Sequence, residues 1–191
     1  MNPIARPPER QKALRLFVAI EIPDDVRALV ADAVDPIRER HPEARWLPAS
    51  NQHVTLKFLG STPAPAVDRV RRAIVEVATA RRPFRTRVAD LGGFPNLRRA
   101  RVLWAGLEDP ARAITDLAAA LDEALRAELA ADRRPFTPHL TLARFDPPVA
   151  LDALSSVRSE PWTVERLVLF RSRLGRPAPR YEAIEAAPLG G

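Results

Sequence analysis

The strongest constraint on this chain is a short segment that occurs twice. The first copy reads N-Q-H-V-T-L-K-F-L-G over residues 51–60, and the second reads T-P-H-L-T-L-A-R over residues 137–144. Each copy has His, an apolar residue, Thr and Leu in that order, although the whole chain contains only 3 His. The repetition predicts a degenerate internal duplication, in which each half of the fold contributes one copy of the motif.

Both copies acquire a functional face if they form β-strands. Side chains alternate across a strand, so His53 and Thr55 would share one face while the apolar residues point to the core. The same holds for His139 and Thr141. Two such strands facing each other across a cleft would surround one small anionic group with two imidazoles and two hydroxyls. One H-x-T alone is more typical of an ordinary half-buried strand, but the matched pair indicates a site.

The rest of the chain predicts an α+β fold. Its first half indicates a strand at 14–21, a helix from Asp24 that ends or kinks near Asp35, a motif strand at 52–59 that ends at Gly60, and a helix over 67–77. The second half indicates a hairpin of strands at 84–91 and 100–107, a helix from Asp109 through Leu129, the second motif strand, a short helix at 151–157, and strands at 162–170 and 180–185. Hairpins favour antiparallel sheets, so we expect two α+β lobes that meet at the motif strands.

Composition sets the class and the boundaries. We expect a disordered tail over 1–13, one domain over 14–186 and a flexible C terminus over 187–191. No apolar run approaches the ~18–20 residues that span a bilayer, so we expect no membrane partner. The chain has no Cys, which excludes disulfides, thiolate metal sites and thiol nucleophiles and fits a cytoplasmic protein. We expect a monomer.

The charge balance is basic. The net charge is +6, carried almost entirely by Arg because the only lysines are Lys12 and Lys57. A basic balance favours acidic partners such as nucleic acid. Arginine richness also arises from solvated helix faces and from coding bias, so charge alone does not identify a partner.

Several kinds of chemistry could use paired His and Thr. A metal site would need three or four ligands, but the remaining His41 lies in a proline-flanked loop and no carboxylate cluster accompanies the motifs. A P-loop would need its glycine-rich segment and Lys. A threonine nucleophile fits poorly, because each Thr lies beside its His on one strand face and does not point toward it. We therefore expect no metal and no cofactor.

Concerted acid–base catalysis fits the pair best. An unperturbed His has a pKa of about 6.5, so near neutrality one imidazole can be neutral and the other protonated. One would take a proton from water and the other would give one to the leaving oxygen, each transfer contributing about 10²–10⁴ in rate. The Thr hydroxyls would donate to phosphoryl oxygens. Ring strain in a cyclic phosphate would activate the leaving group without a metal.

The two motifs and their flanks carry a resemblance. The segments R-W-L-P-A-S-N-Q-H-V-T-L-K-F-L-G and F-T-P-H-L-T-L-A-R resemble the paired H-x-T-x motifs of the 2H phosphoesterase superfamily. They are most similar to the RNA 2′,3′-cyclic phosphodiesterase family, also called 2′-5′ RNA ligase. The opening R-L-F-V-A-I-E-I-P at 15–23 is similar to that family's first strand. The likeness runs from about Leu14 to Ile184, and both motifs are intact.

The resemblance implies a fold, a reaction and roles. The fold would be bilobal, with two antiparallel-sheet lobes, pseudo-twofold symmetry and a central cleft. The reaction would hydrolyse an RNA or oligonucleotide 2′,3′-cyclic phosphate end to a 2′-phosphomonoester. His53 would be the general acid to the 3′-oxygen and His139 the general base on water. Thr55 and Thr141 would bind the phosphate, and the family's Arg after the second motif is kept as Arg144.

Other residues have weaker arguments. Strict alternation turns Arg144 away from the His face, so its phosphate contact depends on the strand ending near residue 143. Phe17 and Tyr181 could line the cleft and stack on a base, or belong to the core. Lys57 shares the His53 face and could bind phosphate, although a solvated position fits equally well. Arg98, Arg99 and Arg101 fit a solvated turn better than an RNA path, and Trp46 and Trp104 fit packing better than recognition.

Three functions remain open. The first is hydrolysis of RNA cyclic phosphate ends, with weak 2′-5′ ligation as the reverse reaction. The second keeps the site but changes the substrate to small cyclic phosphates or 2′-5′ linked nucleotides. The third is an RNA-end-binding module without catalysis, against which the two intact His argue, because permanently charged Arg would serve binding better.

Overall fold

The structure is a computed structural model, which describes residues 13–127, 135–152, 154–175 and 178–190. Its helices are α1 Asp24–Arg40, α2 Ala64–Thr79 and α3 Ala113–Ala124. Its strands are β1 Leu14–Glu21, β2 Arg45–Trp46, β3 His53–Thr62, β4 Phe84–Thr86, β5 Val88–Phe94, β6 Ala100–Leu107, β7 His139–Val149, β8 Trp162–Val164, β9 Arg166–Arg173 and β10 Arg180–Pro188. None of the helices within these ranges is long and apolar enough to cross a membrane.

One large sheet dominates the fold. Its strand order is β10-β9-β1-β3-β7-β6-β5, with β2 also paired to β7, and neighbouring strands are antiparallel. The motif strands β3 and β7 lie side by side at its centre and pair at Val54 and Leu140. Strands β4 and β8 form a separate two-stranded sheet. The predicted α+β fold of two antiparallel lobes that meet at the motif strands is confirmed.

Apolar side chains join the two lobes in one core. Leu16, Val18 and Ile20 from β1 alternate into it with Val54 and Leu56 from β3, all 5% exposed or less. Helix α3 packs against β3 and α2, and α2 also packs against β9 and β10. Each fully buried Leu or Ile contributes roughly 1.5–3 kcal/mol to stability. Because α2 and α3 pack against the strands through this core, they cover one face of the sheet. The motif side chains project from the opposite face.

Both motif strands carry a bulge at the same place. Val18 pairs with Lys57 and Ala19 with Thr55, so Leu56 is the extra residue in β3. In β7, Ala143 and Thr141 pair with consecutive residues of β6, so Leu142 is the extra residue there. A bulge inserts one residue and reverses the alternation of side chains beyond it. It therefore changes which residues share the His face.

Two elements extend beyond the ends that the sequence indicated. Helix α1 does not end near Asp35 but continues through Pro36 to Arg40, because the buried Val34 and Ile37 on either side hold its apolar face in the core. Gly60 does not end β3; it adopts a φ of +64°, which glycine accepts without strain, and the strand continues to Thr62.

Other elements also differ from the expected pattern. The predicted strand at 84–91 is divided between β4 and β5, because they join different sheets. Asp109 holds the start of α3 by accepting hydrogen bonds from the backbone N–H groups of Ile114 (2.7 Å) and Thr115 (3.0 Å). That helix ends at Ala124, and Leu129 lies outside the described residues. The described residues of 151–157 form no helix, since their backbone instead pairs with β5 and with the turn before β6.

The described part of the C terminus is packed onto the fold. Ala187 and Leu189 are buried, and the backbone N–H groups of Leu189 and Gly190 donate to the carbonyl oxygens of Glu165 and Ala78. The expected flexible segment at 187–191 is therefore wrong for 187–190, because two apolar side chains anchor it. Of the expected tail, residues 1–12 lie outside the described residues.

Candidate active site

Four motif side chains project from the same face of the central strands. Val54 and Leu140 pair across β3 and β7 and are fully buried. Their neighbours along each strand point the opposite way, which brings His53 and Thr55 to the face that also holds His139 and Thr141. If the antiparallel pairing continues from Val54 and Leu140, His53 lies opposite Thr141 and Thr55 lies opposite His139. The two histidines are then diagonal neighbours, whose Cα atoms are about 7–8 Å apart in a regular ladder.

Each histidine is held by the backbone just before it. His53 Nδ1 lies 2.8 Å from the carbonyl oxygen of Asn51, and His139 Nδ1 lies 2.7 Å from that of Thr137. A carbonyl only accepts, so Nδ1 carries the proton and donates in both cases. The free nitrogen of each ring is therefore Nε2, which can take up or release a proton.

Aromatic side chains surround His53. The ring of Phe17 stacks on the imidazole at a centroid distance of 4.6 Å, and Tyr181 meets it edge-on at 5.3 Å. Phe170 stacks on Phe17 at 5.3 Å and lies 6.2 Å from the His53 ring. Phe17 is only 2% exposed and its ring packs beneath His53, which favours the core position over stacking on a nucleobase, the two roles that the sequence left open for it. Tyr181 is half-buried beside the same imidazole.

A second aromatic group borders His139. Phe94 meets its imidazole edge-on at 5.0 Å, and Trp104 lies 6.4 Å away. Phe94 was not singled out from the sequence, and for Trp104 packing was the favoured role over recognition. Trp104 pairs with Thr141 on one side and with Gly92 on the other, so its indole covers the glycine. In the sequence, the segment G-G-F at 92–94, just before a hairpin turn, was the available signal for this aromatic group.

Burial makes both histidines weak bases in the free protein. Desolvation lowers the pKa of His53 to about 4, against the effect of its hydrogen bond to the Asn51 carbonyl and with help from the nearby Arg27 cation. Desolvation also lowers the pKa of His139, against the effect of its hydrogen bond to the Thr137 carbonyl and with help from Arg144. The expectation that one imidazole is protonated near neutrality is therefore wrong for the free protein, because burial disfavours both cations.

The bulges decide the orientation of the residues after each motif. The strand does not end near residue 143, yet Arg144 returns to the His139 face because Leu142 is bulged. Burial lowers the pKa of His139 and raises the pKa of Tyr181, and the Arg144 cation favours a lower pKa at both, so Arg144 lies near a side chain of each lobe. Lys57 is turned the other way: it is buried and ion-pairs with Asp122 of α3. Its expected place beside His53 is wrong, because the bulge at Leu56 reverses the alternation.

The remaining candidates lie outside this cluster. Arg98 and Arg99 are exposed in the turn between β5 and β6, and Arg101 pairs with Asp146 at 3.6 Å. Trp46 donates a hydrogen bond to the carbonyl oxygen of His41 and packs under Arg38. Among the described residues, no group of three or more His, Cys, Asp or Glu could hold a metal ion.

Comparison with known proteins agrees with this arrangement. A sequence model of the 2′-5′ RNA ligase superfamily matches residues 22–176. The chain is 33% identical to an RNA 2′,3′-cyclic phosphodiesterase of Thermus thermophilus, covering 93% of this chain and 91% of that protein. It is 32% identical to one of Escherichia coli, covering 90% and 94%. A relative of the same name from Geobacillus stearothermophilus is 31% identical over 94% of this chain, which spans 59% of that protein's length.

Solved structures show the same fold. TT0787 of Thermus thermophilus superposes with a TM-score of 0.78 at 32% identity, covering 93% of this chain and 99% of that one. Escherichia coli LigT complexed with 3′-AMP superposes with a TM-score of 0.75 at 29% identity, covering 93% and 99%. The predicted bilobal fold is confirmed by these likenesses.

Proposed function

The chain belongs to the 2′-5′ RNA ligase superfamily, and from that membership we propose that it hydrolyses the 2′,3′-cyclic phosphate at RNA ends to a 2′-phosphomonoester without a metal. One observation carries the proposal. His53 and His139 lie on one sheet face, each with Nδ1 held by a backbone carbonyl and Nε2 left free. Two such nitrogens on one phosphoryl group suit proton removal on one side and proton donation on the other.

The reaction moves two protons and exchanges one bond at phosphorus. His139 Nε2 accepts a proton from water while the water oxygen attacks phosphorus. The bond from phosphorus to the 3′-oxygen breaks, and His53 donates its Nε2 proton to that oxygen. The product keeps the phosphate on the 2′-oxygen and has a free 3′-hydroxyl. The enzyme ends with a protonated His139 and a neutral His53, which must exchange a proton with solvent before the next cycle.

Substrate binding accounts for the proton that His53 must carry to act as the general acid. In the free protein burial lowers the pKa of His53 to about 4, so the ring is neutral near pH 7. An anionic phosphate within hydrogen-bonding distance favours the imidazolium form and raises that pKa. The general acid therefore becomes protonated as the substrate binds, while His139 must remain neutral to act as the base.

Neighbouring groups complete the proposed phosphate site. Thr55 and Thr141 share the His face and donate hydroxyl hydrogen bonds to the non-bridging oxygens, which hold the developing charge. Arg144 adds a permanent cation from the same face. Tyr181 borders His53 from the edge, in position to contact the terminal nucleoside.

The test is product analysis on a defined substrate. A dinucleotide with a 2′,3′-cyclic phosphate end is incubated with the enzyme in EDTA, and the product is identified by phosphorus NMR. We expect the 2′-phosphomonoester in full yield. A 3′-phosphate would overturn the assigned acid and base, and a requirement for added metal would overturn the mechanism.

The alternative functions give different results in the same assay. A small cyclic phosphate or 2′-5′ linked nucleotide turned over faster than any RNA end would favour the second function. Salt-sensitive RNA binding by both the wild type and the double His variant, with turnover by neither, would favour a binding module. Weak 2′-5′ ligation at high product concentration is compatible with the proposal, since catalysis acts in both directions. A cytoplasmic monomer remains the prediction, which size-exclusion chromatography tests for the oligomeric state.

A further inference from the structure

Two arginines lie directly opposite each other beside the motif strand. Arg45 of β2 pairs with Arg144 of β7 in the antiparallel ladder. Partners in such a ladder point to the same side, with Cβ atoms about 4.5–5.5 Å apart, and like charges there repel. Both side chains are exposed. The pair therefore concentrates two positive charges at one place on the sheet.

No acid in the described part of the chain forms an ion pair with either arginine. The contrast with other surface arginines is clear: Arg166 pairs with Glu21 at 2.6 Å, and Arg38 with Asp35 at 2.6 Å. An unneutralised pair of guanidiniums costs stability through repulsion, which an anion held between them would remove.

The pair lies next to the proposed phosphate site. The bulge at Leu142 brings Arg144 to the face of His139 and Thr141, and its cation acts on both His139 and Tyr181. With the bulged residue not counted, Thr141 and Arg144 are two strand steps apart, or about 7 Å. That distance is comparable to one nucleotide along an extended RNA strand. Arg45 lies opposite Arg144 on the same side of the sheet, along the edge of β7 that also pairs with β3.

We propose that Arg45 and Arg144 form a second phosphate site, which binds the phosphodiester on the 5′ side of the terminal nucleotide. The inference rests on the proposed function and adds to it a substrate class, oligonucleotide ends in preference to mononucleosides. Guanidinium groups bind phosphate through paired, charge-assisted hydrogen bonds, so two of them suit one phosphodiester. Arg144 serves both phosphates, whereas Arg45 reaches only the second. Arg45 is therefore the residue that sets the preference.

The experiment compares two substrates that differ only in that phosphodiester and the nucleoside it carries. Adenosine 2′,3′-cyclic phosphate has none, and the dinucleotide ApA with a 2′,3′-cyclic phosphate end has one. The ratio of their kcat/KM values is measured for the wild type, Arg45→Ala, Arg45→Lys and the control Arg72→Ala, an exposed arginine on α2. We expect the dinucleotide to be preferred, and Arg45→Ala to lower the ratio about tenfold, mainly through KM. Arg45→Lys should be intermediate, and Arg72→Ala should match the wild type.

Each outcome separates the inference from the function beneath it. Turnover of both substrates with an unchanged ratio in Arg45→Ala would overturn the second phosphate site and leave the phosphodiesterase proposal intact. Turnover of neither substrate by the wild type would overturn the phosphodiesterase proposal itself. The salt dependence of kcat/KM gives a second readout. In the wild type, rising ionic strength should lower kcat/KM more for the dinucleotide than for the mononucleoside. In Arg45→Ala it should lower kcat/KM by similar factors for the two substrates.

Discussion

His53 and His139 have the same backbone anchor but different surroundings. Each donates from Nδ1 to the carbonyl two residues earlier, so the repeat preserves the orientation of both rings. Around them the lobes differ, since Phe17 stacks on His53 whereas Phe94 meets His139 edge-on. The closer packing removes more water from His53, and its pKa falls to about 4. Unequal burial thus gives two identical side chains different affinities for a proton.

The pH dependence of turnover tests this difference. The parameter kcat/KM reports groups in the free enzyme, where burial lowers the pKa values of both histidines below 6.5. The active form needs one protonated and one neutral ring, so we expect a bell-shaped kcat/KM profile with its maximum on the acid side of pH 6.5. The bound phosphate raises both pKa values, so kcat should peak at a higher pH. A kcat/KM profile that rises through neutrality and then stays flat would contradict two titrating imidazoles.

At the scale of single elements, the matched bulges matter most. They turn Lys57 into the core and bring Phe58 and Arg144 to the face that holds the histidines, where Phe58 is 63% exposed. Strict alternation correctly predicts the faces of the four motif residues, because these precede the bulges. It fails immediately afterwards, since neither Leu56 nor Leu142 differs in type from an ordinary strand residue. A bulge depends on how two paired strands align, which one segment of sequence does not reveal.

The Lys57–Asp122 ion pair links β3 to α3, and its removal tests the reversed orientation of Lys57. Asp122→Asn leaves the buried ammonium without a counter-charge, so we expect a loss of about 3 kcal/mol in the free energy of unfolding. The neighbouring Glu123→Gln is the control, because Glu123 is exposed and should cost less than about 1 kcal/mol. Urea denaturation measures both. Equal, small effects would show that Lys57 is solvated.

The aromatic group beside His139, Phe94 and Trp104, depends on a close approach between β5 and β6. A Cβ at Gly92 would overlap the indole of Trp104, so Gly92→Ala must displace that ring and disturb His139. We expect a loss of about 1–3 kcal/mol in stability and reduced kcat. In the Trp104→Ala background the same substitution should cost much less, since the overlap is gone. Additive losses in the double variant would contradict this packing.

At the scale of the molecule, the two lobes share one apolar core. Buried residues from both halves, such as Leu16, Val54, Leu103 and Leu140, belong to a single cluster. The repeated motif was enough to predict two lobes that meet at β3 and β7. It could not predict that Leu189 closes the core at the C terminus, because a Pro-Leu-Gly-Gly ending has the composition of a loose tail and only the packed fold supplies its contacts.

A shared core predicts that the domain expected over residues 14–186 unfolds cooperatively, together with the packed residues 187–190. Thermal unfolding followed by calorimetry, far-ultraviolet circular dichroism and tryptophan fluorescence should give one transition with coincident midpoints. The calorimetric and van't Hoff enthalpies should agree. Two separated transitions would mean that the lobes are independent domains joined only at the motif strands.

The proposed catalysis depends on two imidazoles acting as a unit on one phosphorus. The most direct measurement is single-turnover hydrolysis of a dinucleotide 2′,3′-cyclic phosphate in EDTA by the wild type, His53→Ala, His139→Ala, the double variant and the control His41→Ala. We predict a loss of about 10²–10⁴ in rate for each single variant, little further loss in the double variant, and a wild-type rate for His41→Ala. Full activity in either His53→Ala or His139→Ala would contradict the paired mechanism.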